Sequence, residues 1–312
     1  MVLTAAGALV VWGGISLTAA LTGAADNRAD EGDGTVAVSI AAPPATTLPV
    51  PLMRGAEPSA AVQAPAPAPE PTDGICADAD VVAALDAGDD AAVIAAAGGA
   101  AALRDAVAAG AAPCIDLADP ARLWVVVNKQ RPFATVDYAP SQLVAAGSVP
   151  GGSQAILRAD AAAALHEMQA AARAAGAEFG VQNGYRSYGL QESIYAAQVD
   201  QRGAAAADLV SARPGFSEHQ SGLAADVVAC DDGCGHLDDL AGTATDRWIR
   251  EHAWEFGWIV RYEDGYTSIT GYAHEPWHLR YIGVDLARAY REGGFHSLEE
   301  FFELPPAPNY AD

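Results

Sequence analysis

The chain has 312 residues, 51% of them hydrophobic, and 17 basic against 40 acidic side chains give a formal charge of -23. That length allows one sizeable domain with appendages. Acidity on this scale excludes a nucleic-acid-binding role, because a phosphate backbone would be repelled.

Residues 2–25 are uncharged, and at about 1.5 Å of rise per residue such a run could cross a hydrocarbon core. Gly, Thr and Ala dilute it, and no Lys or Arg precedes it. Two readings of residues 1–25 follow: a cleaved export signal with a small-residue site near Ala24 and Ala25, or an uncleaved membrane anchor. Residues 26–75 are rich in Pro, Ala and Thr and bury too little apolar surface to fold, which predicts an extended, disordered linker.

Residues 76–117 predict a small helical module bracketed by Cys76 and Cys114. Val81, Val82 and Leu85, then Val93, Leu103 and Val107, recur at helical spacing, with Gly98 and Gly99 as the break. Four cysteines suit an oxidising compartment. Three pairings are open, and proximity in sequence favours Cys76–Cys114 and Cys230–Cys234.

The main domain is expected over 118–304, followed by a tail at 305–312. Trp124 to Val127 reads as a strand. Residues 159–175 read as an alanine-rich helix stopped by Gly176, and 179–182 as a strand leading to a Tyr185-Arg186-Ser187-Tyr188 loop. Helical spacing resumes at 190–199. Residues 223–228 read as a strand carrying Asp226. Asp246 is placed to cap a helix with Trp248, Ile249, His252 and Phe256 on one face, His252 being taken as a core histidine. Residues 258–262 and 266–272 read as a hairpin about Asp264-Gly265. The sum is an α+β domain: an antiparallel sheet flanked by helices.

Two stretches carry chemistry. Residues 217–226 read Ser-Glu-His-Gln-Ser-Gly-Leu-Ala-Ala-Asp, and 275–278 read Glu-Pro-Trp-His. They provide His219, Asp226 and His278, three ligands with a fourth position left open, the pattern of a catalytic zinc site. Imidazole nitrogen with one carboxylate suits zinc better than magnesium or calcium. Glu275 would serve as general base if the chain turns at Pro276. His274 to His278 also matches H-E-x-x-H, but that signature requires a helix, which Pro276 interrupts. Arg186 offers paired planar donors for a carboxylate or an oxyanion, its plainer reading being a surface salt bridge. Trp277 and Tyr185 are candidates for a cleft wall or for core.

These motifs resemble the signature of the VanY-type D-alanyl-D-alanine carboxypeptidases, within the zinc-peptidase group that includes lysostaphin-type enzymes and the hedgehog signalling domain. The resemblance covers about residues 120 to 303. It extends through Val127-Asn128-Lys129, Tyr185-Arg186-Ser187-Tyr188-x-x-Gln191 and Gly271-Tyr272, and both metal motifs match at every defined position. It implies one zinc ion held by His219, Asp226 and His278 in a cleft, with Glu275 as base. Arg186 would stabilise the oxyanion or bind the substrate carboxylate, and Ser217 and Gln191 would line the substrate cleft, both being types that also commonly cap or support loops. Tyr185, if its ring walls the cleft, would contact substrate too.

The implied activity is release of the terminal D-alanine from peptidoglycan stem peptides by a monomeric enzyme outside the cytoplasm, secreted or held to the membrane only through its amino-terminal segment. A peptidoglycan endopeptidase of the same fold is an alternative. So is a non-catalytic, zinc-stabilised wall-binding module, although such a module has no need of Glu275.

Overall fold

Short helices open the described chain because acidic caps start them and glycine stops them. The Asp78 side chain accepts from the amides of Asp80 and Val81 at the head of helix α1 (Ala79–Ala87), and Gly88 ends it in the left-handed conformation, φ 70°. Asp89 caps α2 (Asp90–Ala96) in the same manner, and α3 (Ala100–Ala108) follows. A disulfide joins Cys76 to Cys114 across this layer. The computed structural model describes residues 74–311 except 148, 153, 231 and 232. The expected signal or anchor at 1–25, and residues 26–73 of the expected linker, lie outside the described residues.

Val81, Val93 and Leu103 are fully buried and belong to the same apolar cluster as Trp124, Phe179 and Trp258. Polar contacts run the same way. Asp90 accepts from the Leu123 amide at 2.7 Å and from Arg122 Nη1 at 3.1 Å, and Arg104 Nε donates to the Phe301 carbonyl at 2.6 Å.

Residues 124–127, expected as a strand, are buried but form no strand. Arg280 Nη2 takes the carbonyls of Leu123 (3.1 Å) and Val125 (2.9 Å), and the Val126 amide bonds to Leu117. A side chain and a loop therefore satisfy backbone groups that a sheet neighbour would otherwise pair.

A two-stranded ribbon, β1 (Leu143–Ala145) and β2 (Ile156–Arg158), leads into helix α4 (Ala159–Ala174). Next come β3 (Phe179–Asn183), α5 (Tyr188–Arg202, capped by the Ser187 side chain), α6 (Ala204–Ala207), β4 (Ala224–Ala229), α7 (Ala244–His252) and β5 (Trp258–Tyr262). The series ends with α8 (Thr267–Thr270), β6 (Glu275–Tyr281), α9 (Val284–Glu292) and α10 (Leu298–Phe301). The main sheet has the order β3-β4-β6-β5, with every neighbouring pair antiparallel. The α+β architecture thus matches expectation.

Three local expectations require correction. The partner of β5 is β6, not 266–272, which instead contains α8. The β-prone composition there yields to Gly271, at φ 84°, which ends a single helical turn. At α7 the cap is Thr243, whose hydroxyl accepts from the Asp246 amide, while Asp246 receives the Gly242 amide and pairs with Arg250 at 2.8 Å. His252 is half-exposed and pairs with Glu255 at 2.9 Å rather than sitting in the core.

A second disulfide joins Cys230 and Cys234, so both pairings favoured by proximity are formed. The terminal residues return to the domain. The Ala307 amide bonds to the Ile269 carbonyl, the Tyr310 hydroxyl accepts from the Arg213 amide at 2.8 Å, and the Tyr310 ring packs on Phe216.

Candidate metal centre and its cleft

Strand pairing brings two of the three candidate ligands together. Asp226 on β4 lies opposite His278 on β6. The third, His219, sits in a 3-10 turn over Glu218–Ser221 that ends at Gly222, φ 72°. A Cβ at Gly222 would lie 3.0 Å from the Arg158 amide nitrogen, so both the turn and the packing favour glycine there.

The three ligand atoms lie within 4.8 Å of one another and all three residues are buried. Asp226 Oδ1 is 3.3 Å from His219 Nε2 and 3.1 Å from His278 Nδ1. The outer nitrogens are occupied: His219 Nδ1 lies 2.7 Å from the Gly184 carbonyl, and His278 Nε2 lies 3.1 Å from Glu218 Oε2. Asn183 Nδ2 donates to Asp226 Oδ2 at 2.9 Å, which leaves Oδ1 facing the histidines. His219 Nε2 is buried and has no hydrogen-bond partner among the described residues. An orphaned imidazole nitrogen beside a carboxylate and a second imidazole fits a divalent cation, and zinc in particular.

Charges follow from burial and neighbours. Burial, with Arg186 adding to it, lowers His219 to about 4, so it is a neutral donor near neutrality. Burial would also lower His278, but the carboxylates of Asp226 and Glu218 outweigh it and lift the ring to about 9. Burial opposes ionisation of Asp226, yet His219 and His278 hold it well below the usual carboxylate range.

Glu275 opens β6 and lies 3.9 Å from His278 Nδ1. The expected turn at Pro276 is absent. Strand β6 is continuous, but its register against β5 shifts between Val260 and Tyr262, where Tyr262 faces Glu275. A bulge of this kind restores two residues three apart to one side of a sheet. The same strand rules out a helical H-E-x-x-H site, and His274 instead contacts Arg250 Nη2 at 3.0 Å. Burial pushes the Glu275 carboxyl up to about 7, with Asp226 adding and His278 and Arg186 opposing.

Arg186 and Glu275 both line a small inner cavity of about 40 Å³ and an outer cleft of about 340 Å³. Arg186 Nε is buried without a hydrogen-bond partner among the described residues, which departs from the salt-bridge reading. Ser217 lines the inner cavity and Trp277 the outer one.

Gln191 takes the loop-supporting place rather than one on the cleft surface. It is fully buried and donates to Ser211 Oγ and the Ala212 carbonyl, supporting two wall residues from behind. Tyr185 is half-buried and lines neither cavity, its amide bonding to the Ile156 carbonyl. Sequence reasoning passed over Asn183, Tyr262, Tyr272 and Glu218, which line or support the site. Two of these carried a signal: Tyr272 sits in the matched Gly271-Tyr272 motif, and Glu218 is a charged residue beside a candidate ligand.

Fold and site together define a metallopeptidase centre. A family model described as D-alanyl-D-alanine carboxypeptidase, VanY, matches residues 154–284. The chain is 36% identical over 189 residues to the putative carboxypeptidase YodJ of Bacillus subtilis (strain 168), covering 59% of this chain and 68% of that protein. Among solved structures it resembles the LdcB LD-carboxypeptidase at 36% identity and a TM-score of 0.55, over 59% of this chain and 87% of that one. It also resembles the vancomycin-resistance D,D-dipeptidase VanXYg in complex with a D-Ala-D-Ala phosphinate analog, at 29% identity and a TM-score of 0.52, over 58% of this chain and 70% of that one. The chain belongs to the VanY D-alanyl-D-alanine carboxypeptidase family and is by class a zinc metallopeptidase.

Proposed function

We propose that the chain removes the terminal D-alanine from peptidoglycan stem peptides ending in D-Ala-D-Ala, with one zinc ion held by His219, Asp226 and His278. The observation that carries this reading is that Glu275 and Arg186 line the same cavities as the candidate ligands, a carboxylate base and a guanidinium whose buried Nε has no partner among the described residues. When bound, the zinc ion acidifies a water molecule and polarises the scissile carbonyl.

The remaining steps belong to the protein. Glu275, poised at about 7 by burial, takes the proton of the attacking water and passes it to the leaving amine. Arg186 Nε and its neighbouring N–H groups face the negative charge that develops on the carbonyl oxygen or that the terminal carboxylate carries. Ser217 offers a hydroxyl from the inner cavity wall, and Trp277 gives the cleft an apolar side.

The organisation proposed with this activity is an export signal or anchor at 1–25, a linker over 26–75, the 76–117 module and the enzyme domain at 118–304, acting as a monomer outside the cytoplasm. The two disulfides support an oxidising location. The test compares D-alanine release by the purified protein from a pentapeptide ending in D-Ala-D-Ala and from the tetrapeptide ending in one D-Ala, with chelator and with zinc restored. Chelator-sensitive release from the pentapeptide supports the proposal. Release from the tetrapeptide alone assigns an L,D-carboxypeptidase, and cleavage confined to cross-linked wall assigns an endopeptidase.

A further inference from the structure

Glu218 lies immediately before the ligand His219, is fully buried, and makes no use of solvent. Its Oε2 is 3.1 Å from His278 Nε2. Its Oε1 accepts from Arg261 Nε and from Arg280 Nη1, each at 2.9 Å. Arg261 in turn grips Glu299 with both terminal nitrogens, at 3.0 and 2.8 Å, and Arg280 Nη2 holds the carbonyls of Leu123 and Val125. The side chains of Glu218, Arg261, Arg280 and Glu299 are all 0% exposed.

We propose that Glu218 is a positioning residue that fixes which nitrogen of His278 meets the metal, and that Arg261 and Arg280 lock it in that role. The proposal rests on the metal-site reading above.

An ionised carboxylate only accepts hydrogen bonds, so the nitrogen of His278 that faces Glu218 must carry the proton. That fixes N–H at Nε2, and since Nδ1 faces Asp226 Oδ1 at 3.1 Å, a cation seated between them would take the place of the Nδ1 proton and meet the lone pair there. His219 is arranged the opposite way, with Nδ1–H directed at the Gly184 carbonyl and Nε2 directed at Asp226. A neutral carbonyl orients one ligand and a full carboxylate the other. The carboxylate also increases the basicity of its imidazole, as outer partners of metal-bound histidines do.

A lone carboxylate at zero exposure would be too costly to keep ionised. Here two guanidiniums take one oxygen and leave the other for His278, while Glu299 balances the second positive charge. Two acids and two bases cancel, so the group is neutral as a whole and its only outlet toward the site is Oε2. Strands β5 and β6, helix α10 and the 123–125 segment each contribute to this frame.

The test titrates the metal-stripped full chain with Zn(II) against a chromophoric chelator, for wild type, E218Q and E299Q. Glutamine at 218 turns its amide donors toward either the arginines or the imidazole, so E218Q should bind zinc 10–100-fold more weakly. E299Q disturbs the far end of the same frame and should keep an affinity close to wild type while losing thermal stability. Equal affinities for wild type and E218Q would overturn the proposal alone, whereas a wild type that binds no zinc would overturn the metal-site reading with it. If E218Q does not fold, imidazole ¹⁵N spectra of the cadmium-loaded wild type decide the matter. Metal coupling at His278 Nδ1 with a retained Nε2 proton supports the assignment, and the reverse tautomer overturns it.

Discussion

Asp226 Oδ1 and His278 Nδ1 stand 3.1 Å apart because their residues are register partners on neighbouring antiparallel strands. The facing pair is therefore set by the backbone ladder of the sheet, and Asn183 on the other neighbouring strand holds the second oxygen of Asp226. A site built on paired strands is more exact than one hung on loops. The lone turn-borne ligand, His219, is fastened instead through its own ring to Gly184.

Separating binding from proton transfer is the direct check on this arrangement. Replacing His278 by Ala removes a ligand and should abolish stoichiometric zinc, measured by metal analysis after gel filtration. Glu275→Gln should retain zinc and lose hydrolysis by roughly 10²–10⁴-fold, the contribution usual for a positioned base. Full activity in E275Q would refute the assigned base.

Among the described residues Arg186 forms no ion pair and its Nε has no hydrogen-bond partner, so its removal should damage function more than folding. Arg186→Met should lower kcat/KM by roughly 10²–10³-fold. Lysine should not rescue it, because a point charge lacks the planar donor pair. Thermal melting should shift little in either variant, and an unfolded R186M would point to a structural role instead.

The two disulfides should contribute unequally. Cys76 and Cys114 are 38 residues apart, Cys230 and Cys234 only 4. Chain-entropy arguments give about 4 kcal/mol for the longer loop and about 2 kcal/mol for the shorter. Paired Cys→Ser variants unfolded in urea would read the difference. Equal losses would show that strain or residual unfolded structure dominates.

Asp90 gives a pH signature at the contact between α2 and the segment at Leu123. Burial raises its carboxyl above 3.8, outweighing the Leu123 amide and Arg122. The folded state keeps this proton to higher pH than the unfolded chain does, so the stability it contributes falls as pH rises between 3.8 and the raised value. Asp90→Asn lacks that dependence. The stability of wild type minus that of D90N should therefore decline as pH rises through and above 3.8, read from urea midpoints. A difference that grows with pH would reverse the assignment.

Reading residues in order reveals chemistry that is local in sequence and hides chemistry that is not. His219, Asp226, Glu275 and His278 were legible because each motif packs its reactive side chains within a few positions. The role of Glu218 was not, since its partners Arg261 and Arg280 lie 43 and 62 residues away. Helices α4 and α5 and strands β3, β4 and β5 followed from periodicity. Residues 266–272 misled because β-prone composition was outweighed by one glycine-terminated turn. Residues 124–127 misled because an arginine replaced a sheet neighbour. Pro276 suggested a turn, and the chain accommodates it at the start of a bulged strand.

The carboxyl end deserves a practical reading. Tyr310 touches Phe216, the Arg213 amide and the Tyr272 hydroxyl, and Tyr272 lines the inner cavity. A load applied beyond Tyr310 would thus reach the cavity wall through the Tyr310–Tyr272 hydroxyl contact, so a tag or reporter placed there would bear on the site. Attachment at a site remote from Tyr310 leaves those contacts unloaded, and assays meant to compare variants should share one attachment point.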